Sequence, residues 1–253
     1  MRMKEYEDIW NFKLPKHNTI IIRVDGKRFS KLTTVLNKPF DATFHTIMEL
    51  TAIDVAKQID GCKMAYCQSD EVTFILNNYG TQTPYFDGRI QKISSIVAAN
   101  MTVNFYTNYL AYILEYQENL DNNLSKYSEE DVKVLSERIS NLWKFLNQKP
   151  IFDARCYIVP SDEEIDVLIE RQNSSINNSI LSIGQYYIGK KEVEGLKNNE
   201  IIDILKNNSY NIEDILTDRD KYGAIIYKDA EIGWTSQVAT RFLRESDDKS
   251  LEE

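Results

Sequence analysis

The stretch Thr19-Ile-Ile-Ile-Arg-Val-Asp-Gly26 contains a nearly continuous apolar run that ends in an Asp-Gly pair. A short run of β-branched residues bounded by a turn signal is typical of a buried β-strand. We therefore predict a strand over residues 19–24, with Asp25 directly after it. The rest of the fold follows from what surrounds this strand.

Two helices, a hairpin and a further strand are predicted after the first strand. Apolar residues recur at helical spacing after Asp41, a suitable N-cap, and two short apolar runs flank the turn Ser69-Asp70-Glu71. The resulting order βαββαβ is that of a ferredoxin-like α+β fold, an antiparallel sheet with helices on one face. The predicted elements are a helix over 41–59, hairpin strands over 63–68 and 72–76, a helix over 87–116 and a strand over 151–159.

The second half of the chain reads as mainly helical. Residues 117–126 are polar and predict a connection, and Ser128-Glu-Glu-Asp131 resembles a capping box that starts a helix to about residue 147. Another helix is predicted after Pro160, because acidic residues fill its first turn. Shorter helices over 200–206 and 212–216 and a strand over 223–228 follow. We divide the chain into a catalytic core over residues 1–160 and a helical region over residues 161–253 packed on it.

Composition narrows the class of protein. The chain has 253 residues, of which 42% are hydrophobic and 27% charged, as in ordinary globular proteins. No apolar run approaches the ~20 residues of a membrane span, and the first residues lack the apolar region of a signal peptide. The three cysteines, Cys62, Cys67 and Cys156, form no disulfide framework or metal spacing, so we expect reduced thiols and a cytoplasmic protein, or a mitochondrial one in a protist.

Histidine content and net charge exclude further classes. With only His17 and His45, a three-histidine zinc site is impossible and a histidine-based triad is disfavoured. The formal net charge of −9 argues against a protein that binds nucleic acid non-specifically over its whole surface. An enzyme with a local basic groove on an acidic body remains compatible with this charge.

Acidic residues stand at the ends of neighbouring strands. Asp25 follows the first strand, and Asp70 lies in the hairpin turn beside Glu71. In a ferredoxin-like sheet these strands are adjacent, so Asp25 and Asp70 can reach the same ion or pair of ions. Paired carboxylates suit Mg²⁺, and two such ions support phosphoryl transfer. The alternative is that each is an ordinary turn residue; their joint position favours the metal site.

Basic residues near these strands fit an anion site. The loop Gly26-Lys-Arg-Phe29 carries Lys27 and Arg28, and such a loop can offer consecutive backbone N–H groups to a phosphate. Arg89 and Lys92 share one helix face and suit the β- and γ-phosphates of a nucleotide. The alternatives are an ordinary polar loop and a solvated helix edge.

For two further sets of polar residues, a structural role explains the sequence at least as well as a functional one. Asp153 and Arg155 interrupt an apolar strand, and a structural ion pair is favoured over catalysis there. A polar cluster on a later helix offers either contacts to RNA or a plain solvated face. Its members are Arg171, Gln172, Asn173, Asn177 and Asn178.

In this order, the motifs resemble those of the tRNA-His guanylyltransferase family, the 3′–5′ RNA polymerases. The resemblance spans residues 23–185, and the chain after Tyr222-Gly223 is compatible with it. The matching stretches are Arg23-Val-Asp-Gly-Lys-Arg-Phe29, Lys38-Pro-Phe-Asp41, Tyr66-Cys-Gln-Ser-Asp-Glu71, Phe86-Asp-Gly-Arg-Ile-Gln-Lys92, Phe152-Asp-Ala-Arg155, Glu170-Arg-Gln-Asn173, Asn178-Ser-Ile180 and Leu181-Ser-Ile-Gly-Gln185.

The resemblance implies a polymerase-type palm that adds nucleotides to the 5′ end of tRNA. In the family, ATP adenylylates a 5′ monophosphate, and the 3′-hydroxyl of an incoming nucleotide then attacks the activated phosphate. Both steps are phosphoryl transfers, which one site with two Mg²⁺ ions can serve. The implied substrates and partners are tRNA, ATP, GTP and other nucleoside triphosphates. The implied assembly is a homotetramer, and no association with a membrane is expected.

The resemblance also assigns roles to residues. Asp25, Gly26 and Asp70 match the metal ligands, and Asp25, Asp70 and Glu71 the catalytic acids. Arg155, Arg171 and Asn178 match positions linked to activation or tRNA handling. The implied nucleotide-binding residues are Lys27, Arg28, Phe29, Lys38, Asp41, Ser69, Arg89 and Lys92.

Two departures bear on the substrate. The eukaryotic enzymes that modify tRNA-His have a histidine where this chain has Ser30, and a His-Ile-Asn-Asn-Leu-Tyr-Asn stretch where it has Asn173-Ser-Ser-Ile-Asn-Asn-Ser179. The chain is therefore more similar to the Thg1-like proteins of bacteria, archaea and some protists, which repair 5′-truncated tRNAs by Watson–Crick templating. We expect repair, with addition of G−1 to tRNA-His as the alternative.

Two other functions compete with these. A nucleotidyl cyclase would use the same palm and acids, but the chain lacks the Gly-Gly-Glu-Glu-Phe signature of such cyclases. A non-catalytic RNA-binding protein would be favoured by loss of the acids, but Asp25, Asp70 and Glu71 are present.

Overall fold

A six-stranded antiparallel sheet organises the computed structural model, which describes residues 2–77 and 83–243. The strand order is β4-β1-β3-β2-β5-β6, and its first four strands have the ferredoxin-like arrangement. The strands are β1 (Thr19–Gly26), β2 (Cys62–Gln68), β3 (Glu71–Leu76), β4 (Phe152–Val159), β5 (Ala224–Asp229) and β6 (Gly233–Val238). The helices are α1 (Met3–Asp8), α2 (Phe29–Leu32), α3 (Ala42–Gln58), α4 (Ile90–Asn122), α5 (Glu129–Asn147), α6 (Glu164–Tyr187), α7 (Asn198–Asn207), α8 (Ile212–Ile215) and α9 (Asp218–Tyr222).

Strand β1 is apolar at most positions because both of its faces are covered. Ile20, Ile22 and Val24 belong to the main core together with residues of α3, α4 and α5, whereas Ile21 packs on the opposite face with residues of α6. A strand covered on both faces reads as a continuous apolar run. The expectation of helices on one face therefore holds for α3 and α4, and α6 covers the other face.

Five phenylalanines form the centre of the main core. The ring centroids of Phe29 and Phe152 lie 5.0 Å apart, and those of Phe105 and Phe145 6.1 Å apart, mostly in tilted or edge-to-face arrangements. Phe44 on α3 completes the group. This cluster joins the loop after β1 to α3, α4, α5 and β4, and so fixes where β1 ends.

The predicted βαββαβ order is confirmed, and the differences lie mainly at the ends of elements. Helix α4 continues to Asn122, past the predicted end at residue 116, and the buried Leu120 accounts for the extra turns. The sequence reading missed α1, α2, α9 and β6, which are short. Strand β6 pairs only with β5 at the edge of the sheet, and the boundary between domains at residue 160 stays a prediction.

Buried polar side chains on α6 hold the segment before β5. Gln172 is 2% exposed; its Nε2 donates to the carbonyls of Tyr222 (3.2 Å) and Thr240 (2.9 Å). Ser175 and Ser179 donate to the carbonyls of residues 221 and 220. These bonds fix α9 against α6, and they matter for the site described below.

None of the helices in residues 2–77 and 83–243 combines the length and apolar character needed to cross a membrane. The three cysteines are free thiols, and burial raises the pKa of Cys62 to about 12. The expected absence of disulfides is thus consistent with the described structure.

Candidate active site

Asp25 and Asp70 meet at one end of the sheet. Strand β1 pairs with β3 so that Asp25 lies opposite Glu71, and a two-residue turn of Ser69 and Asp70 joins β2 to β3. The backbone N–H of Gly26 donates to the carbonyl of Asp70 (3.1 Å), which ties the end of β1 to this turn. The predicted hairpin is confirmed, and it brings the two carboxylates to the same cleft.

This acidic cleft has a volume of about 410 Å³, within the range of small-molecule sites. Asp25, Ser69 and Asp70 line this cleft together with the segment around Lys38 and Asp41. A smaller extension of about 160 Å³ shares Asp25 and Asp70 and reaches α6. Of the residues predicted to bind nucleotide, those lining the main cleft are Arg28, Phe29, Lys38, Asp41 and Ser69.

The electrostatics of the cleft favour a cation. Burial raises the pKa of Asp70 to about 6, and the nearby Asp25 carboxylate contributes to the rise. Burial and then the charge of Asp153, opposite Asp25 on β4, likewise raise the pKa of Asp25. Crowded carboxylates repel each other when ionised, and a bound cation relieves that repulsion.

A site with two carboxylates suits Mg²⁺ better than it suits a metal ion that takes all of its ligands from the protein. No group of three or more His, Cys, Asp or Glu side chains arranged for a metal occurs in the part of the chain that the structure describes. Mg²⁺ commonly takes one or two carboxylates and fills its shell with water and substrate phosphates. Asp25, Asp70 and the carbonyl of Gly26 are therefore suitable ligands for such an ion.

Glu71 has different surroundings from the two aspartates. Its Oε2 lies 3.4 Å from Nη1 of Arg171 and 3.9 Å from Nε of Arg23. Burial raises the pKa of Glu71, while the two guanidinium groups oppose that rise. Glu71 thus anchors Arg171 of α6 to the sheet, and its catalytic role stays a prediction.

The loop after β1 differs from the expected anion-binding loop. The N–H of Gly26 bonds to Asp70 and that of Lys27 to the carbonyl of Ile151 (2.9 Å), so neither is available to a phosphate. Any backbone N–H that donates to a phosphate must therefore belong to Arg28, whose φ is +61°, or to a later residue of the loop. The ring of Phe29 is 2% exposed in the aromatic core, so its contribution to a nucleotide site would be through the backbone.

Gly26 is required by the close approach of Phe29. A Cβ at position 26 would lie 2.4 Å from Cδ2 of the Phe29 ring, which four other phenylalanines hold in place. We expect Gly26→Ala to lower the free energy of unfolding by about 2 kcal/mol through overpacking, measured by urea denaturation. Adding Phe29→Leu should recover part of the loss; a single variant as stable as the wild type would contradict this contact.

Asp41 is held by protein donors on both carboxylate oxygens. Oδ1 accepts from the N–H of Phe44 (3.1 Å) and from Nη2 of Arg138 (2.8 Å), and Oδ2 accepts from the N–H of Asn37 (3.0 Å). This arrangement caps α3 and fixes the cleft wall that carries Lys38. Nucleotide contact by either residue stays a prediction, and burial lowers the pKa of Lys38.

Arg89 and Lys92 lie together but away from the acidic cleft. They line a second cleft of about 380 Å³ beside α1, which we call the N-terminal cleft. The ammonium of Lys92 sits 4.8 Å from the ring centroid of Phe86, and Arg89 forms an isolated β-bridge with Lys13. Arg89 is the N-cap of α4 and has an extended backbone, so the predicted helix face that it shares with Lys92 is not formed. The two residues do not line the cleft of Asp25 and Asp70, and phosphate binding by them stays a prediction.

The remaining predicted residues divide into two groups. Arg171 and Asn178 line the extension of the acidic cleft, so the structure brings them to the carboxylates. Arg155 is exposed on β4, where its Nη2 lies 3.5 Å from Oδ1 of Asp153. Gln172 is not available to RNA, because it is buried and bonded to backbone groups, so the predicted polar face is partly structural.

Sequence reasoning missed several residues of the cleft. His45 lines both parts of it, as do Phe40 and Ser182, whereas Gln185 lines the main part. Gln185 and Ser182 belong to the motif Leu181-Ser-Ile-Gly-Gln185, which gave a signal without a role. His45 gave none, because a single histidine in a helix has no characteristic spacing.

A ferredoxin-like sheet with paired carboxylates at the end of its central strands is an arrangement that suits phosphoryl transfer. The family model for tRNA-His guanylyltransferase matches residues 1–160. The chain therefore belongs to the tRNA-His guanylyltransferase (Thg1) family, a family of nucleotidyltransferases.

Individual relatives agree with this assignment. A probable tRNA(His) guanylyltransferase of Dictyostelium discoideum is 28% identical over 70% of this chain and 60% of its own length. Protein R259 of Acanthamoeba polyphaga mimivirus, uncharacterised, is 26% identical over 90% of this chain and 76% of its own length. The chain thus spans less than two thirds of the Dictyostelium protein.

A solved structure matches almost the whole fold. A bacterial tRNA(His) guanylyltransferase-like protein, solved in complex with ATP, is 27% identical, covers 99% of this chain and 95% of its own, and has a TM-score of 0.75. The match includes the region after residue 160 that the family model does not cover. The sheet and its helical extension therefore belong to one known fold.

Proposed function

We propose that the protein adds nucleotides to the 5′ end of tRNA in the 3′–5′ direction, templated by the opposite strand, and so repairs 5′-truncated tRNAs. The observation that carries this proposal is the pair Asp25 and Asp70 at the end of adjacent strands in a cleft of about 410 Å³. Membership of the tRNA-His guanylyltransferase family supports the choice of tRNA and of a nucleoside triphosphate.

The proposed reaction has two phosphoryl transfers in one cleft. ATP first adenylylates the 5′ monophosphate with release of pyrophosphate, and the 3′-hydroxyl of an incoming nucleotide then displaces AMP from the activated end. Mg²⁺ ions bound at Asp25, Asp70 and the Gly26 carbonyl would supply charge stabilisation for the attacking and leaving oxygens. The partly buried carboxylates of Asp25 and Asp70 would hold these ions, and the aromatic core behind Gly26 keeps the loop in place.

Basic side chains in two places are suited to the anionic substrates. Arg28 and Lys38 line the acidic cleft and would neutralise the triphosphate, and Arg171 lines its extension on the side of α6. The exposed Arg155, and Arg89 with Lys92 in the N-terminal cleft, are candidates for contacts with tRNA beyond the reacting end. Such local positive charge allows tRNA binding despite the net charge of −9.

Two observations bear on the choice between repair and addition of G−1. Ser30 and Asn173-Ser-Ser-Ile-Asn-Asn-Ser179 depart from the eukaryotic tRNA-His motifs, which favours repair. Relatives that are named as tRNA(His) guanylyltransferases favour the alternative, addition of G−1 to tRNA-His. We propose repair as the main activity, a homotetramer as the working assembly and the cytoplasm as its compartment.

Nucleotide addition to tRNAs with different template bases tests the proposed function. The protein is incubated with Mg²⁺, ATP and all four nucleoside triphosphates, once with a tRNA lacking its first nucleotide and once with full-length tRNA-His. We expect addition to the truncated tRNA, with the added base changing when the opposite base in the acceptor stem is changed.

Other outcomes of this experiment point to the alternatives. Addition of G to full-length tRNA-His alone would contradict repair and establish G−1 addition. Binding of tRNA without incorporation into either RNA would contradict both activities. Conversion of ATP or GTP to a cyclic product without RNA would identify a cyclase.

A further inference from the structure

His45 on α3 lies in the acidic cleft and has no part in the chemistry described above. It is one of two histidines in the chain, and its side chain is 13% exposed. It lines the main cleft together with Asp25 and Asp70, and also the extension toward α6. A polar ring in this position needs an explanation beyond packing.

Asp220 of α9 fixes the orientation of the His45 ring. Nδ1 of His45 lies 3.3 Å from Oδ1 of Asp220. Asp220 is itself held firmly: its Oδ2 accepts from Oγ1 of Thr217 (2.6 Å), and its carbonyl accepts from Oγ of Ser179 (2.6 Å). The ring edge that carries Nδ1 therefore has a defined and rigid partner.

This orientation leaves Nε2 for the cleft. Asp220 does not line the acidic cleft or its extension, so the polar ring atom of His45 that remains for them is Nε2. Within residues 2–77 and 83–243, no hydrogen-bond partner of Nε2 is found. The rings of Phe40 and Phe44 lie 6.3 and 6.4 Å from the imidazole, centroid to centroid, and limit its rotation.

The surroundings of the His45 imidazole favour its neutral form. Burial lowers its pKa and Arg219 acts in the same direction, which outweighs the opposite effects of Asp220 and Asp41. Because Nδ1 faces the carboxylate of Asp220 at 3.3 Å, the tautomer with its proton on Nδ1 is favoured, and Nε2 is then a hydrogen-bond acceptor. A ligand group that contacts Nε2 must therefore be a donor.

The donors of a nucleoside triphosphate identify the group. Phosphate oxygens only accept at neutral pH, and the donors on the bases differ between adenine and guanine. The ribose hydroxyls are the donors that ATP and GTP share in the same place. We propose that His45, oriented by Asp220, accepts a hydrogen bond from a ribose hydroxyl of the nucleoside triphosphate bound in the acidic cleft. This inference rests on the proposed function, because it assumes that the nucleotide binds there.

Binding of deoxy analogues tests the contact without any tRNA. Titration calorimetry with Mg²⁺ compares ATP, 2′-deoxy-ATP and 3′-deoxy-ATP on the full chain. We expect the wild type to bind one of the two analogues about tenfold more weakly than ATP, because a buried acceptor loses its donor. His45→Leu should lose this discrimination, and His45→Gln, whose amide oxygen can replace Nε2, should keep part of it.

A matched control removes a purely structural explanation. Ser236 of β6 donates a hydrogen bond to Oε2 of Glu49 on α3 (2.9 Å), one helical turn from His45, and it lines neither the acidic cleft nor its extension. Ser236→Ala should lower the melting temperature but keep the preference for ATP over the deoxy analogue. The thermal unfolding of each variant is recorded in parallel.

Three results would overturn the inference. The wild type binds ATP and both analogues equally, or His45→Leu and His45→Gln keep the full discrimination, or Ser236→Ala loses it to the same extent as His45→Leu. In each of these cases ATP still binds, so the proposed function survives. A wild type that does not bind ATP at all would instead contradict the proposed function, and the inference with it.

Discussion

Asp70→Asn should abolish nucleotide addition, with a fall in rate of about a thousandfold or more. The substitution keeps the shape of the side chain but removes one of the two negative charges that the acidic cleft offers to Mg²⁺. Interactions that stabilise charge in a transition state commonly contribute a factor of 10²–10³ each. The rate is measured as incorporation of labelled nucleotide into a truncated tRNA.

The same variant should be at least as stable as the wild type when no divalent cation is present. The pKa of Asp70 is raised to about 6 in the folded protein, from an ordinary value of 3.8, so the folded protein resists ionisation of this group. The wild type therefore loses stability relative to Asp70→Asn as the pH rises from about 4 to 6. Urea denaturation in EDTA at pH 4 and pH 7 measures the difference.

The control for Asp70→Asn is Asp203→Asn, which removes a charge from an exposed position on α7. Asp203→Asn should leave both the incorporation rate and the difference in stability between pH 4 and pH 7 as they are in the wild type. An Asp70→Asn protein that incorporates nucleotide at the wild-type rate would contradict the metal site. A loss of activity accompanied by unfolding would point to a structural role for Asp70 instead.

Arg138→Met should lower the free energy of unfolding by about 3 kcal/mol, the largest effect on stability that we expect from one substitution. Nη1 of Arg138 lies 2.7 Å from Oδ2 of Asp41, whose side chain is 4% exposed, so the substitution leaves a buried carboxylate without its counter-ion. Removing one partner of a buried ion pair typically costs 3–5 kcal/mol. Urea denaturation at pH 7 measures the change.

The pH dependence of this loss has a defined sign. Burial alone would raise the pKa of Asp41, but hydrogen bonds and charge from Arg138 outweigh it and lower the pKa. Stability from a lowered pKa is present above the unfolded value of 3.8 and is lost as the pH falls through the folded value. The difference between Arg138→Met and the wild type should therefore narrow in acid, whereas Lys133→Met on the exposed side of α5 should change little at any pH. If the difference in unfolding free energy between Arg138→Met and the wild type is the same at pH 7 and in strong acid, the ion pair is not the cause of the difference.

The parts of the fold that depend on local pattern could be predicted from the sequence. The run from Thr19 to Gly26 and the turn at Ser69-Asp70-Glu71 specify β1 and the β2–β3 hairpin, and their order with the two long helices specifies the sheet. Because the ends of adjacent strands must meet, this topology predicts from the sequence alone that Asp25 and Asp70 lie together, as they do. Here secondary structure and topology alone determine proximity.

Other features depend on tertiary contacts that no local pattern shows. Arg89 is the N-cap of α4 and Lys92 lies in the first turn of the helix, and the packing of this end of α4 beside α1 places both in the N-terminal cleft. Gln172 looks like a surface residue beside Arg171 and Asn173, but it is buried because α9 and the chain after β6 pack on it. His45 lines the cleft with its Nδ1 edge against Asp220, which lies far away in the sequence.

The most direct test of the central claim asks which end of the RNA is extended. The truncated tRNA is oxidised with periodate, so that its 3′ end cannot be extended, and is incubated with Mg²⁺, ATP and labelled nucleotides. We predict that the wild type incorporates label into the oxidised tRNA as well as into the untreated one, and that Asp70→Asn incorporates it into neither. Incorporation that disappears when the 3′ end is blocked would contradict the account, because it would make the protein a conventional 3′-end nucleotidyltransferase.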